Sequence, residues 1–234
     1  MPRPPRSSRE HRLVKLRVYY GGTFDPVHNG HLAIARAAHA ALDRMIRLMP
    51  AADPPHRPPP GADALQRAAM LDLAVAGEPG LLVDRRELER AGRSYSIDTL
   101  HALRAEYGPE APLALLVGAD SFLGLPTWKD WRDLFTHAHF VVAERPGNPL
   151  EDGLPPELAA IASGRWSSAP SDLETAPAGR IFRLRQPLHD ESATEIRDLI
   201  ASGEPWRDSV PAAVADYIEQ HRLYGHKSRR SSSL

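Results

Sequence analysis

Short apolar runs alternate along this chain with stretches in which apolar residues recur every three or four positions. A continuous apolar run marks a strand covered on both faces. Leu113–Val117 (LALLV) is the clearest case, and Lys15–Tyr20 is similar. Further strands are expected at Arg44–Met49, Leu81–Asp84, Phe140–Ala143 and Ile181–Leu184. Helical spacing predicts helices over His31–Asp43, Ala64–Val75 and Ser96–Tyr107, the last with Ile97, Leu100 and Leu103 on one face. Two more are expected near the C-terminus: Ser192–Ala201, with Ile196, Leu199 and Ile200 inward, and Pro211–Gln220, with Val214, Tyr217 and Ile218 inward and proline in its first turn. Phe122–Phe135 reads as short helical pieces carrying Trp128 and Trp131. Pro50–Gly61 holds too many prolines for a helix interior or a central strand, so it is a stiff loop leaving a strand end. Residues 148–178, rich in Pro, Ala, Ser and Gly, read as a surface excursion with one helical turn near Glu157–Ile161. Strands alternating with helices predict an α/β fold, a doubly wound parallel sheet that binds ligands beyond the carboxyl ends of its strands.

The composition narrows the function classes. At 234 residues the chain suits one α/β domain, expected over 13–225, between a basic extension at 1–12 and a basic, serine-rich tail at 226–234, both expected to be disordered. Residues 1–12 also read as an over-long start. A net charge of −1 supplies no basic field for nucleic acid. Cysteine is absent, which excludes disulfides and thiolate metal sites and fits a reducing compartment. No apolar run approaches the roughly 18 residues of a membrane helix, and the arginine-rich start lacks the apolar core of a signal peptide. A soluble cytoplasmic protein is the expectation, with neither nucleic acid nor membrane as partner.

The chemistry concentrates in Gly21-Gly22-Thr23-Phe24-Asp25-Pro26-Val27-His28-Asn29-Gly30-His31, between the first strand and the first helix. Glycines at a strand exit allow a tight turn and close approach of backbone to a ligand. Gly30 stands where the free N–H groups and positive dipole end of a helix attract an anion. His28 and His31 add imidazole donors to the same group. No Gly-Lys-Ser/Thr ends this loop and no G-x-G-x-x-G is present, so it is neither a P-loop nor a dinucleotide fingerprint. A second signal is Ser192-Ala193-Thr194-Glu195-Ile196-Arg197. Its Ser-x-x-Glu spacing is a capping box, and the capped helix end with Arg197 one turn on is also a phosphate site.

H-x-G-H within this string resembles the signature of the nucleotidyltransferase superfamily. The chain as a whole is similar to the bacterial nicotinate-nucleotide adenylyltransferases from about Leu16 to Gly225. The motifs in order are GGTFDPVHNGH, PPHR at Pro54–Arg57, SYSIDTL at Ser94–Leu100, VGADS at Val117–Ser121, PTW at Pro126–Trp128 and SATEIR at Ser192–Arg197. The resemblance implies a Rossmann-like sheet and transfer of the adenylyl group of ATP to nicotinate mononucleotide. It implies Mg²⁺ arriving with ATP and no resident metal. It places His28, His31 and Arg197 in the catalytic role. ATP would be held by Gly21, Gly22, Thr23, Phe24, His28, His31, Arg57, Gly118, Asp120, Ser192, Thr194 and Arg197. Asp120 would meet the ribose, or else be a loop-capping aspartate. The pyridine nucleotide would be framed by Tyr95, Ser96 and Thr99, largely through backbone N–H groups, with Trp128 stacked on the ring or else part of the core.

Departures from the pattern bear on detail. Arg57 stands where many relatives have lysine, with a different donor geometry. Glu191 precedes SATEIR where an apolar residue is usual, and an acid there weakens phosphate binding unless it points away. Ser96 is a mild change, and Lys129 follows Trp128 where relatives often carry an aromatic. A zinc site from His28, His31 and His56 would lack ordered carboxylate or cysteine partners; His137 and His139 read as polar surface residues. Rival readings are phosphopantetheine adenylyltransferase, a nicotinamide-preferring enzyme and an inactive nucleotide sensor. Oligomeric state is not legible.

Overall fold

The computed structural model describes residues 15–54, 61–144, 150–186 and 191–225. The tails expected at 1–12 and 226–234, and Arg57 with His56, lie outside these residues. The strands are β1 (Arg17–Gly22), β2 (Ile46–Pro50), β3 (Leu81–Val83), β4 (Leu113–Gly118), β5 (His139–Ala143), β6 (Trp166–Ser167) and β7 (Ile181–Leu184). They form a seven-stranded sheet in the order β3-β2-β1-β4-β5-β7-β6, parallel at every pairing. The expected doubly wound sheet is therefore present. The chain runs outward from β1 to β3 and returns to place β4 beside β1, so the switch point of the topology lies between the carboxyl ends of β1 and β4.

Period-two alternation assigns the strand side chains to two cores. Val18, Tyr20, Ile46, Leu48, Ala114 and Leu116 face one. It is closed by the helices α1 (Asn29–Leu42), α2 (Ala64–Val75), α7 (Ala193–Ser202) and α8 (Ala212–Gln220). Tyr19, Leu113, Leu115, Val117, Phe140 and Val142 face the other. There α3 (Ser96–Tyr107), α5 (Trp131–His137) and α6 (Pro156–Ala162) cover the sheet, and the short α4 (Ala119–Leu123) follows β4. The predicted inward residues of α3, Ile97, Leu100 and Leu103, are buried. In α7 and α8, Ile196, Ile200, Val214 and Ile218 are buried, while Leu199 and Tyr217 are partly so.

Three expectations need correction. The stretch within 148–178 is more than a surface excursion: α6 and the edge strand β6 lie in it, and Leu150, Leu158, Ala162 and Leu173 enter the cores. Low apolar density concealed it, because a few well-placed leucines suffice to dock a short element. His139 is not a surface residue but is fully buried at the start of β5. β1 extends through Gly21 and Gly22, which pair with Met49 and Pro50 of β2 rather than making the turn.

The tight bend falls instead on Phe24, in the left-handed region at φ 52°. A Cβ on Gly22 would lie 2.9 Å from the Phe24 ring, so the glycine makes room for an aromatic folded back over the strand end. Phe24 is buried against Tyr20 and His31.

Buried charges hold this end of the sheet. Arg67 is wholly buried on the inner face of α2 and donates to three carbonyls: Thr23 at 2.7 Å, Ala52 at 3.2 Å and Ala62 at 3.3 Å. Asp25, 4% exposed, accepts from the backbone N–H groups of Gly61 (2.8 Å) and Ala62 (3.1 Å) and from the hydroxyl of Tyr224 (2.8 Å). Burial and the Asp25 charge push the Tyr224 phenol far up, so it remains a donor. Loops from opposite ends of the sequence are thereby drawn to the carboxyl end of β1.

Replacing Arg67 by Met should remove these bonds without a large change in volume. Unfolding in denaturant should show a loss of about 3 kcal/mol, since each buried carbonyl left unpaired costs about 1–3 kcal/mol. A second prediction concerns acid. His139 Nδ1 accepts from the Arg180 N–H (3.0 Å), so Nε2 carries the proton and donates to the Ala176 carbonyl (2.9 Å). Burial lowers the imidazole pKa in the folded state. The unfolded chain therefore binds the proton first, and this contribution is present above about pH 6.5 and lost as pH falls through the folded value. Thermal melts between pH 7.5 and 5 should show a shallower acid-side decline in His139→Gln, from a lower plateau, than in the native protein.

Candidate active site

His28 is the N-cap of α1, extended at φ −138°, and His31 lies in the first turn. The His28 backbone N–H donates to His31 Nδ1 at 3.3 Å, so the neutral His31 ring carries its proton on Nε2. The two rings stand 3.6 Å apart between centroids, tilted by 35°. Helix, cap and ring pair thus turn imidazole edges and the leading N–H groups of α1 toward one place. Gly30 lets this packing close up: a Cβ there would lie tightly, 3.1 Å from His28 Nδ1 and 3.4 Å from Glu191 Oε2. Glu191 consequently points toward the histidine turn rather than away from it.

The start of α7 meets the same turn from across 172 residues of sequence. Arg197 Nη1 donates to the Asp25 carbonyl at 2.7 Å, and its Nη2 reaches the Thr194 hydroxyl at 3.2 Å. Asp25 Oδ2 lies 3.8 Å from Arg197 Nη1. Ser192 caps α7 by accepting from the Glu195 N–H at 3.1 Å, as its spacing predicted. Two helix N-termini, two imidazoles and a guanidinium therefore converge beyond the carboxyl end of β1. A helix end carries about half a positive charge, so the place is suited to a polyphosphate. Asp120, exposed in the first turn of α4, stands at the end of β4 across the switch point, two residues after Gly118.

A third helix end lies at the edge of this region. Tyr95 caps α3, and Ser94 just before it fastens to the loop after β2: its N–H donates to the Asp53 carbonyl (2.9 Å), and its Oγ accepts from the Ala52 N–H (2.8 Å). Trp128 is half-buried against the second core. Lys129 Nζ lies 3.0 Å from Asp98 Oδ1 and 4.9 Å from the Tyr95 ring centroid, so the 128–129 segment meets the first turn of α3.

Some expected contacts are not offered in the way the sequence indicated. Phe24 turns its side chain into the core and leaves only backbone for a ligand. Thr99 is 1% exposed; its N–H is bonded to the Tyr95 carbonyl and its hydroxyl to Glu87, so it stands behind the site. Asp25, Arg67, Glu87 and Tyr224 had no assigned role. One signal for Arg67 was available, because it precedes Leu71 by one helical turn and so lies on the apolar stripe of α2. Among the described residues, no three His, Asp or Glu gather in a way that would hold a metal ion, and no helix is long and apolar enough to cross a membrane.

Comparison with known proteins identifies the family. The family model described as cytidylyltransferase-like matches residues 19–199. A probable nicotinate-nucleotide adenylyltransferase of Stenotrophomonas maltophilia is 58% identical over 217 residues, covering 91% of this chain and 98% of the relative. Its counterpart in Xylella fastidiosa is 50% identical over the same shares of the two chains. The fold is also that of the Plasmodium falciparum nicotinic acid mononucleotide adenylyltransferase complexed with NaAD, at a TM-score of 0.70 and 15% identity, over 91% of this chain and 98% of that one. The chain belongs to the cytidylyltransferase-like nucleotidyltransferases and, within them, to the nicotinate-nucleotide adenylyltransferases.

Proposed function

We propose that this chain joins the adenylyl group of ATP to nicotinate mononucleotide, forming nicotinate adenine dinucleotide and pyrophosphate in NAD biosynthesis. The observation that carries the reading is the convergence of α1, α7, the His28–His31 pair and Arg197 at the switch point, in a chain of this family. A phosphate oxygen of the mononucleotide attacks the α-phosphorus of ATP in line. The new P–O bond forms as the bond to the pyrophosphate oxygen breaks. The attacking group is already an anion, so neither a protein nucleophile nor a strong base is needed.

Catalysis then consists of positioning and of stabilising charge on phosphoryl oxygens. His31 Nε2–H and His28 donate to the phosphates beside Thr23, over the backbone of Gly21 and Gly22. Arg197, steadied by the Asp25 carbonyl, holds the triphosphate with Ser192 and Thr194. Asp120 and Gly118, at the neighbouring strand end, receive the adenosine ribose, and Arg57 adds a further cation. The reaction takes a divalent metal with ATP. We read it as Mg²⁺ bound by phosphate oxygens and water, because the donors gathered here are nitrogen donors suited to phosphate rather than oxygen ligands suited to a hard cation.

The leading N–H groups of α3, from Ser96 onward, offer donors and a positive dipole end to the pyridine carboxylate, with Trp128 against the ring, while the Tyr95 N–H is held by the Arg93 carbonyl. A nicotinamide would turn an NH₂ toward donors. The expected discrimination is large, about 10⁴-fold in kcat/KM where a buried polar group is mismatched. Pyrophosphate release with ATP, Mg²⁺ and either nicotinate or nicotinamide mononucleotide measures it. Equal kcat/KM values would favour a dual-specificity enzyme, and release with phosphopantetheine alone would move the chain to that activity. Replacing His31 by Ala should lower kcat by about 100- to 1,000-fold and leave the melting temperature near that of the native protein. Near-normal turnover in the folded variant would remove His31 from its assigned role.

A further inference from the structure

Glu87 lies in the loop between β3 and α3, is 6% exposed, and takes no part in the site described above. A hydroxyl donor reaches it from the first turn of α3. Thr99 Oγ1 donates to its Oε1 at 2.7 Å, and the Ser94 hydroxyl helps to favour the ionised carboxylate. Each hydroxyl is itself an acceptor from a stronger donor. Arg90 Nη2 donates to Thr99 Oγ1 at 3.1 Å, and the Ala52 N–H donates to Ser94 Oγ at 2.8 Å. A hydroxyl polarised in this way gives its own proton more readily, so the chain from Arg90 through Thr99 runs toward Glu87.

The charge type matters. An ionised carboxylate has only acceptors to offer, and so it can satisfy both hydroxyls at once. Burial pushes the Glu87 carboxyl up, and the hydroxyls of Thr99 and Ser94, with the charge of Arg90, work against that push. A glutamine in the same volume would present an NH₂ to one of the two hydroxyls.

The segment fastened in this way runs from Ser94 to Thr99 and contains Tyr95 and Ser96, the cap and first residue of α3. The fastening continues beyond it. The Ala52 peptide gives its N–H to Ser94 and takes Arg67 Nη2 on its carbonyl, and Arg67 Nη1 holds the Thr23 carbonyl. These bonds tie Ser94, at the entry of α3, to the turn after β1.

We propose that Glu87 is a positioning residue for the acceptor nucleotide, holding the first turn of α3 at the height and orientation its N–H groups need to meet the acceptor's carboxylate. It acts through Ser94 and Thr99 and does not touch substrate. This inference rests on the adenylyl-transfer reading above.

The test is steady-state kinetics of pyrophosphate release for Glu87→Gln, with Thr99→Val and Thr99→Ser as a second pair. Glu87→Gln should raise KM for nicotinate mononucleotide by about tenfold, the order expected for a lost bond to a charged group. Its kcat and its KM for ATP should stay within about twofold of the native values. Thr99→Val should act in the same direction, and Thr99→Ser, which keeps the hydroxyl, should return KM close to native. A native KM for the mononucleotide in Glu87→Gln would overturn the proposal. So would equal losses for both substrates, or a Thr99→Ser variant as impaired as Thr99→Val. If Glu87→Gln does not fold, the Thr99 pair decides by the same criteria. Absence of pyrophosphate release from the native enzyme with any pyridine nucleotide is a separate result, which would overturn the adenylyl-transfer reading and this inference with it.

Discussion

The carboxylate of Asp25 is the charge around which the ligand-binding end of this sheet is assembled. It lies almost out of solvent, and a carboxylate in that position is tolerable only if its oxygens are satisfied. The N–H groups of Gly61 and Ala62 do so from the start of α2, and the Tyr224 hydroxyl does so from near the C-terminus. The carbonyl of the same residue takes Arg197 from α7. One residue in the turn after β1 thereby draws together elements that are distant in sequence. Arg67 repeats the arrangement with the opposite sign, giving its N–H groups to carbonyls of three separate segments.

These two buried groups explain how a site made of loops can be stiff. The donors proposed to meet phosphate sit on helix ends, and helix ends are only as well placed as the loops that lead into them. Here the loop after β1, the loop after β2 and the start of α2 share the same buried polar network. Phosphoryl transfer without a protein nucleophile depends on such placement, because the catalytic gain comes from donors already aimed at developing charge. Glu191 is the exception, an acid set where its charge opposes a phosphate. Its carboxylate stands beside Gly30 and the His28 ring, within the electrostatic setting of the histidines.

Much of this was legible beforehand. Apolar periodicity identified the alternation of strands and helices, since burial on both faces or on one leaves a period that side chains alone report. The turn after β1 and the Ser192–Arg197 helix start were recognisable because their chemistry is local: a cap, free N–H groups and a neighbouring cation all lie within one turn of helix. The helical turn expected near Glu157–Ile161 is α6, but its docking into the core and the strand β6 were missed, because the few leucines of this stretch dock by long-range fit rather than by any repeat. His139 was misplaced for the same reason, its burial being decided by Ala176 and Arg180, far along the chain.

The sequence by itself determined the order of elements, the parallel sheet and the residue types able to bind phosphate, all of which follow from interactions between near neighbours. Only the tertiary structure decided which of those residues face a ligand. It turned Phe24 into the core, set Thr99 behind the site against Glu87, brought Lys129 to Asp98 and Tyr95, and gave Asp25 and Arg67 their central places. The physical reason is that a buried charge is stable only with its partners in place, and here most of those partners come from parts of the chain that no local pattern connects.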